Sequence, residues 1–243
     1  EQIAETAAAK GIRVPLWLDI NNGMNRTGIE PTAEALELYK RIYKNPNLVA
    51  AGFHVYDGHI HNKDLSVRVV KCNEDFEAVL DLKRSLEEIN IPVPFIVAGG
   101  SPTFPIHLKR DNVETSPGTT LLWDAGYGAS YKDMDFIPAA VLLTRVISKP
   151  KANLVCFDLG HKHLASEMIF PRVLLLEGEE CVQIGQSEEH LIVQCPNDDK
   201  FNVGDVAYAI PVHICPTVAK YKEVLRVVDG SLTGAWQVAA RNL

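Results

Sequence analysis

The spacing of apolar residues changes character near the middle of the chain. Up to about residue 135, short apolar runs alternate with longer segments in which apolar positions return every three or four residues. The runs at 14–20, 48–55 and 93–98 have the length of buried strands, and shorter ones are predicted at 112–116 and 119–123. Between them the spacing predicts helices. An Ala-rich helix occupies 1–10 and stops at Gly11. A second opens with Pro31 in its first turn and ends at Asn45-Pro46. A long third spans 64–90, with Phe76, Val79, Leu80, Leu82, Leu86 and Ile89 near helical spacing. Strands alternating with helices, the strands mostly apolar, predict a parallel α/β unit.

After residue 135 the helical period disappears. Short, β-branched or alternating segments at 141–146, 154–159, 173–176, 190–194, 206–210, 224–228 and 234–240 are punctuated by Gly and Pro. The expected organisation is therefore an α/β part over 1–135 and an all-β domain over 136–243. Five parallel strands fall short of the eight of a closed barrel. The first helix has no strand before it, so upstream sequence is expected to be missing.

Composition narrows the function classes. A net charge of −7 over 243 residues, with no long basic cluster, argues against a nucleic-acid surface. The apolar runs are about half of the roughly 20 residues that a membrane span requires. The five cysteines are scattered, odd in number and without CxxC, so reduced thiols and a cytoplasmic location are expected.

In a parallel α/β fold the loops after the strands carry the chemistry. The loop 19–28, DINNGMNRTG, offers Arg26, whose guanidinium suits a carboxylate or phosphate. The loop 56–61, YDGHIH, offers Tyr56, His59 and His61 as acid–base groups. The loop 99–103, GGSPT, and the loop 116–119, SPGT, place hydroxyls beside glycines and suit a phosphate. In the β part, His213 and Cys215 in PVHICPTV share a face if that segment is extended, and imidazole plus thiolate suits zinc. From the spacing alone the metal signal is weak, and a core His and Cys is the commoner case.

Seven stretches, DINNGMNRTG, YDGH, GGSPTF, SPGT, DLGHK, SEEH and PVHICPTV, occur in that order across nearly the whole chain. Together they resemble the fold-type III pyridoxal-phosphate enzymes, in the D-threonine aldolase and D-serine dehydratase branch. The resemblance implies a partial alanine-racemase-like (β/α)8 barrel followed by a β domain, and a homodimer with active sites near the domain interface. It implies pyridoxal 5'-phosphate held by Tyr56, Ser101, Thr103, Gly118 and Thr119, with Arg26 near the pocket. It implies a divalent metal on His213 and Cys215, zinc with manganese as the alternative, binding the substrate's β-hydroxyl. His59 is the expected acid or base. The substrate would be a D-β-hydroxy amino acid, cleaved by a retro-aldol reaction or, alternatively, dehydrated as D-serine; racemisation or a non-catalytic binding module are further readings. The family's cofactor lysine has no counterpart in context here: Lys10 and Lys162 stand in other elements.

Overall fold

The computed structural model describes residues 1–241, and the last two positions of the expected β domain lie outside them. Two compact units are present, one over 1–118 and one from Thr119 onward.

The first unit alternates helix and strand: α1 (Gln2–Ala9), β1 (Val14–Asp19), α2 (Ala33–Lys44), β2 (Leu48–Val55), α3 (Leu65–Glu88), β3 (Phe95–Ala98), α4 (Phe104–His107) and β4 (Val113–Thr115). The strands form one parallel sheet in the order β1-β2-β3-β4. The helices follow from local sequence. Asp64 caps α3 by accepting from the Val67 N–H at 3.0 Å. Cys72, Phe76, Val79, Leu82 and Leu86 then recur at helical spacing and are buried. Asn90 ends the segment in the left-handed region at φ 60°. Thr32, not Pro31, is the N-cap of α2, so Pro31 precedes the helix instead of lying in its first turn.

Phe53, Phe76, Val79, Leu86, Tyr39 and Ile96 form the core between sheet and helices, each almost wholly buried. Burying such a side chain contributes about 1.5–3 kcal/mol. Successive residues of a strand face opposite ways, and the other face of the sheet carries Trp17 and Phe95 in exposed positions. The barrel is partial: four parallel strands, not five. The predicted strand at 119–123 is a 3-10 turn at Thr119–Leu121 instead. Trp123 follows in the left-handed region at φ 53°, which a strand does not accommodate.

The second unit holds α5 (Ala125–Ser130), β5 (Leu142–Ser148), β6 (Leu154–Phe157), β7 (Val173–Leu175), β8 (Val182–Gln186), β9 (Leu191–Gln194), β10 (Val206–Pro211), α6 (Ile214–Val218), β11 (Glu223–Val228) and β12 (Ser231–Gln237). Six strands make an antiparallel sheet in the order β7-β10-β5-β6-β9-β8, and β11 and β12 form a separate hairpin. Val155, Phe157, Leu164, Leu191, Val193 and Ala209 are fully buried in its core. The segment 119–135, read from sequence with the α/β part, groups here by its contacts. The Gly126 N–H donates to the Val212 carbonyl at 3.2 Å.

Two expectations are corrected in this unit. Cys181 and Cys195 are disulfide-bonded at the paired ends of β8 and β9, so the cysteines are not all thiols. Cys72, Cys156 and Cys215 are free. The segment after β10 is also not extended through Cys215, because it turns into α6 at Ile214. No helix among the described residues is long and apolar enough to cross a membrane.

Candidate functional site

In the first unit, the loops after β1, β2 and β3 carry the sequence-predicted groups. The loop after β1 is closed by Asn21, whose Oδ1 accepts from the N–H groups of Gly23 at 3.2 Å and Asn25 at 2.9 Å. Gly28 turns back at φ 87°, where a Cβ would lie 2.9 Å from the Asp19 carbonyl oxygen. Arg26 leaves this loop and stacks its guanidinium 4.6 Å from the centre of the Tyr56 ring. The same ring lies against the GGSPT loop: a Cβ on Gly100 would be 3.2 Å from it. Three predicted elements, Arg26, Tyr56 and the 99–103 loop, are thus contiguous.

The residue that ties the loop after β2 to the 99–103 loop is Asp57, for which the sequence alone assigns no role. Its side chain is buried, and Oδ1 accepts from the Gly100 N–H at 2.8 Å and the Thr103 hydroxyl at 2.6 Å. On Oδ2 it meets His107 Nε2 at 2.9 Å. Burial pushes its carboxyl up, but the hydrogen bonds from His107 and Thr103, the His107 charge and the Gly100 N–H outweigh it and hold the value below the ordinary one. Thr103 is therefore turned inward and Ser101 is also buried.

Cys72 lies 3.3 Å from His107 Nε2 and 3.9 Å from Asp57 Oδ2. Asp57, Cys72 and His107 are the one group of three donors with metal-like spacing among the described residues. The chemistry does not favour a nucleophile there. Burial, then the Asp57 charge, push the Cys72 thiol up to about 11. Cys72 and Asp57 also meet the same ring nitrogen of His107, so the imidazole does not relay between them as in a nucleophile–base–carboxylate triad.

His59 is more constrained than an open acid–base group. Its Nε2 lies 2.8 Å from Asp75 Oδ2 on α3, and its Nδ1 is buried without a hydrogen-bond partner. Its ring is packed under the β1 loop, where a Cβ on Gly23 would meet it at 2.6 Å. His61 is exposed. At the ends of β1 and β2, Asp19 and His54 face each other in register with Oδ1 and Nδ1 2.6 Å apart, a pair the sequence reading missed. Gly118 is exposed, with open space where a Cβ would stand.

In the second unit, His213 is the N-cap of α6 and Cys215 the second residue of that helix. The shared-face argument from an extended segment therefore does not apply, and the pair rests on a different geometry. Glu167 Oε1 lies 2.5 Å from His213 Nδ1, which leaves Nε2 as the nitrogen for an ion. Cys215 is exposed and its sulfur is 3.8 Å from the Thr119 hydroxyl. Imidazole nitrogen plus a free thiol is a donor set that fits zinc. Asp124, buried, accepts from the Ile214 N–H at 3.1 Å and the Tyr127 N–H at 2.8 Å, tying the start of α6 to α5. Burial raises the Asp124 carboxyl above its ordinary value, against the N–H groups that it accepts from.

The stretches DLGHK and SEEH meet each other. The His161 N–H donates to the Ser187 carbonyl at 2.8 Å and the Lys162 N–H to the Glu188 carbonyl at 3.1 Å. Lys162 is ion-paired with Glu188 at 3.1 Å and Glu189 at 2.6 Å.

With this geometry in place, comparison with known proteins is decisive for the family. The sequence model of the alanine racemase N-terminal domain matches residues 1–125. The chain belongs to the alanine racemase-like family. A model of a putative serine dehydratase domain matches residues 139–227. The chain is 24% identical over 245 residues to a D-threonine aldolase of Arthrobacter sp., covering 99% of this chain and 64% of that protein. It is 26% identical over 254 residues to a 3-hydroxy-D-aspartate aldolase of Paracoccus denitrificans (strain Pd 1222), covering 99% of this chain and 65% of that one. The chain thus spans just under two thirds of the length of these relatives. Among solved structures, the D-threonine aldolase from Filomicrobium marinum aligns with a TM-score of 0.89 at 23% identity, over 98% of this chain and 65% of the other. D-threo-3-hydroxyaspartate dehydratase from Delftia sp. HT23 aligns at 0.81 and 18%, over 97% and 69%. The alanine-racemase-like architecture of parallel α/β part and antiparallel β part is shared with both.

Proposed function

We propose that the protein is a pyridoxal-phosphate- and divalent-metal-dependent lyase acting on D-β-hydroxy amino acids, with retro-aldol cleavage to glycine and an aldehyde as its reaction. The observation that carries this reading is the contact of the Tyr56 ring with both Arg26 and the glycine loop 99–103. An aromatic ring, a fixed cation and a glycine–hydroxyl loop side by side suit an aromatic phosphate ester. The cofactor, when bound, supplies the electron sink for bond cleavage at the substrate's α-carbon.

The residues of the chain supply the rest. The 99–103 loop, with Ser101, and the 116–119 loop with Gly118 and Thr119 take the phosphate, and Tyr56 borders the ring. Arg26 holds negative charge near it. His213 and Cys215 hold a zinc ion, with manganese as the alternative, and Glu167 fixes the imidazole by its Nδ1. A metal there would polarise a hydroxyl and ease loss of its proton. His59 is the candidate acid or base of this reading, but its Nε2 faces Asp75 and its Nδ1 is buried, so the ring must turn to reach a substrate. A homodimer is part of the same reading, from the family resemblance; a cytoplasmic location is expected from the cysteine usage, and the Cys181–Cys195 bond removes part of that ground.

Dehydration is the second reading, favoured by the match of residues 139–227 to the serine dehydratase domain. Product assays on D-threonine and D-serine, with and without chelator, separate the two. Because the family's cofactor lysine has no counterpart in context among these residues, the assay uses a protein that carries one; glycine and acetaldehyde from D-threonine, abolished by chelator, is the expected result. Pyruvate from D-serine selects dehydration. If the protein forms no visible absorption band with pyridoxal phosphate and no product from either substrate, the enzyme reading fails.

A further inference from the structure

Three of the donors on Asp57 come from one short stretch of chain, and the fourth, the Cys72 thiol at 3.9 Å, comes from α3. Gly100, Thr103 and His107 lie between the end of β3 and the end of α4, while Asp57 stands 43 residues earlier in the loop after β2. The carboxylate is 1% exposed, so no water substitutes for a donor that is lost. The stretch also has little room to relax. Gly99 sits at φ 88°, and a Cβ there would lie 2.8 Å from the His107 ring and 3.2 Å from the Thr103 hydroxyl. The Gly100 carbonyl accepts from the Thr103 N–H at 3.1 Å and the Phe104 N–H at 3.0 Å, closing the turn around the carboxylate. Beneath it Ile60, Cys72 and Ile106 form a small buried cluster, and the Phe76 ring meets His107 edge-on at 4.9 Å.

We infer that Asp57 is the positioning residue of the 99–103 loop, and that through this loop it sets the preference of the chain for ligands carrying a phosphate monoester. Asp57 does not touch the phosphate. It holds the Gly100 N–H and the Thr103 hydroxyl inward, which leaves direct contact to Ser101 and the loop backbone. The inference rests on the phosphate reading of this loop given above.

The test uses the full chain and two ligands that lack an aldehyde, pyridoxine 5'-phosphate and pyridoxine, with inorganic phosphate as competitor. Calorimetric titration gives the ratio of their dissociation constants, a quantity that general destabilisation of a folded protein does not change. Wild type is expected to prefer the phosphate ester and to lose that preference to competing phosphate. Asp57→Ala is expected to cut the ratio about tenfold or more, the order of one hydrogen bond to a charged group, with pyridoxine affinity unchanged. Asp57→Asn keeps an acceptor for Gly100 and Thr103, and its amide suits the other His107 tautomer, so it is expected to retain most of the preference. If Asp57→Ala does not fold, Thr103→Val, which removes a single donor, is expected to lower the ratio about threefold or more. A preference in wild type that both Asp57→Ala and Thr103→Val preserve overturns the positioning role alone. No preference in wild type overturns the phosphate reading and the inference with it.

Discussion

Thr103 donates its hydroxyl proton to Asp57 Oδ1 across 2.6 Å, and neither side chain is exposed to solvent. The bond joins the loops after β2 and β3, so the conformation of one depends on the ionisation of a residue in the other.

That dependence has a sign. The folded-state value of Asp57 lies below its ordinary value because His107, Thr103 and Gly100 stabilise the charged form. The resulting stability is fully present above the ordinary carboxylate value of about 3.9 and is lost as pH falls through the lower folded value. The urea midpoint of wild type is expected to fall more steeply than that of Asp57→Asn as pH drops below about 4. Equal slopes for the two proteins would show that Asp57 is not held ionised by these bonds.

The joint between the 158–162 and 187–190 stretches depends on Gly160. A Cβ there would stand 2.0 Å from the Glu188 carbonyl oxygen, which is backbone and cannot rotate away. Gly160→Ala is expected to destabilise by more than about 2 kcal/mol, read as a loss in urea midpoint. Lys162→Ala, which removes only exposed ion pairs, is expected to leave the urea midpoint almost unchanged. Similar costs for the two substitutions would contradict the close backbone approach.

The Cys181–Cys195 bond closes a loop of 14 residues in sequence separation at the ends of β8 and β9. Constraining a loop of that size in the unfolded chain is worth about 3 kcal/mol. Thermal melts with and without dithiothreitol should differ accordingly, and Cys181→Ala should melt like the reduced wild type. A wild-type melt that ignores the reductant would show that the bond does not form.

Much of the architecture is legible in the sequence because burial leaves a periodic trace. The run 48–55, apolar but for Gly52 and His54, is β2, and the spacing from Cys72 to Leu86 is α3. Where local backbone preference competes with hydrophobicity the reading fails. The apolar stretch 119–123 looks like a strand, but Trp123 takes a left-handed turn. The His213–Cys215 segment has strand-like composition and becomes a five-residue helix, held by Asp124 from 90 residues away. The seven short stretches point to the right loops, yet not to the contacts that shape them. Asp57 lies inside YDGH, and Thr103 and His107 are one helical turn apart, but nothing local shows that all three converge. Glu167 on His213 and Asp75 on His59 are likewise distant contacts with no signal in the sequence.

The assignment of the metal to His213 and Cys215 is tested most directly by anomalous scattering from crystals of the protein grown with zinc. The account predicts a zinc peak about 2.0 Å from His213 Nε2 and about 2.3 Å from Cys215 Sγ, lost in His213→Ala. A peak among Asp57, Cys72 and His107, the other set with ligand-like spacing, or no peak at either place, would contradict it.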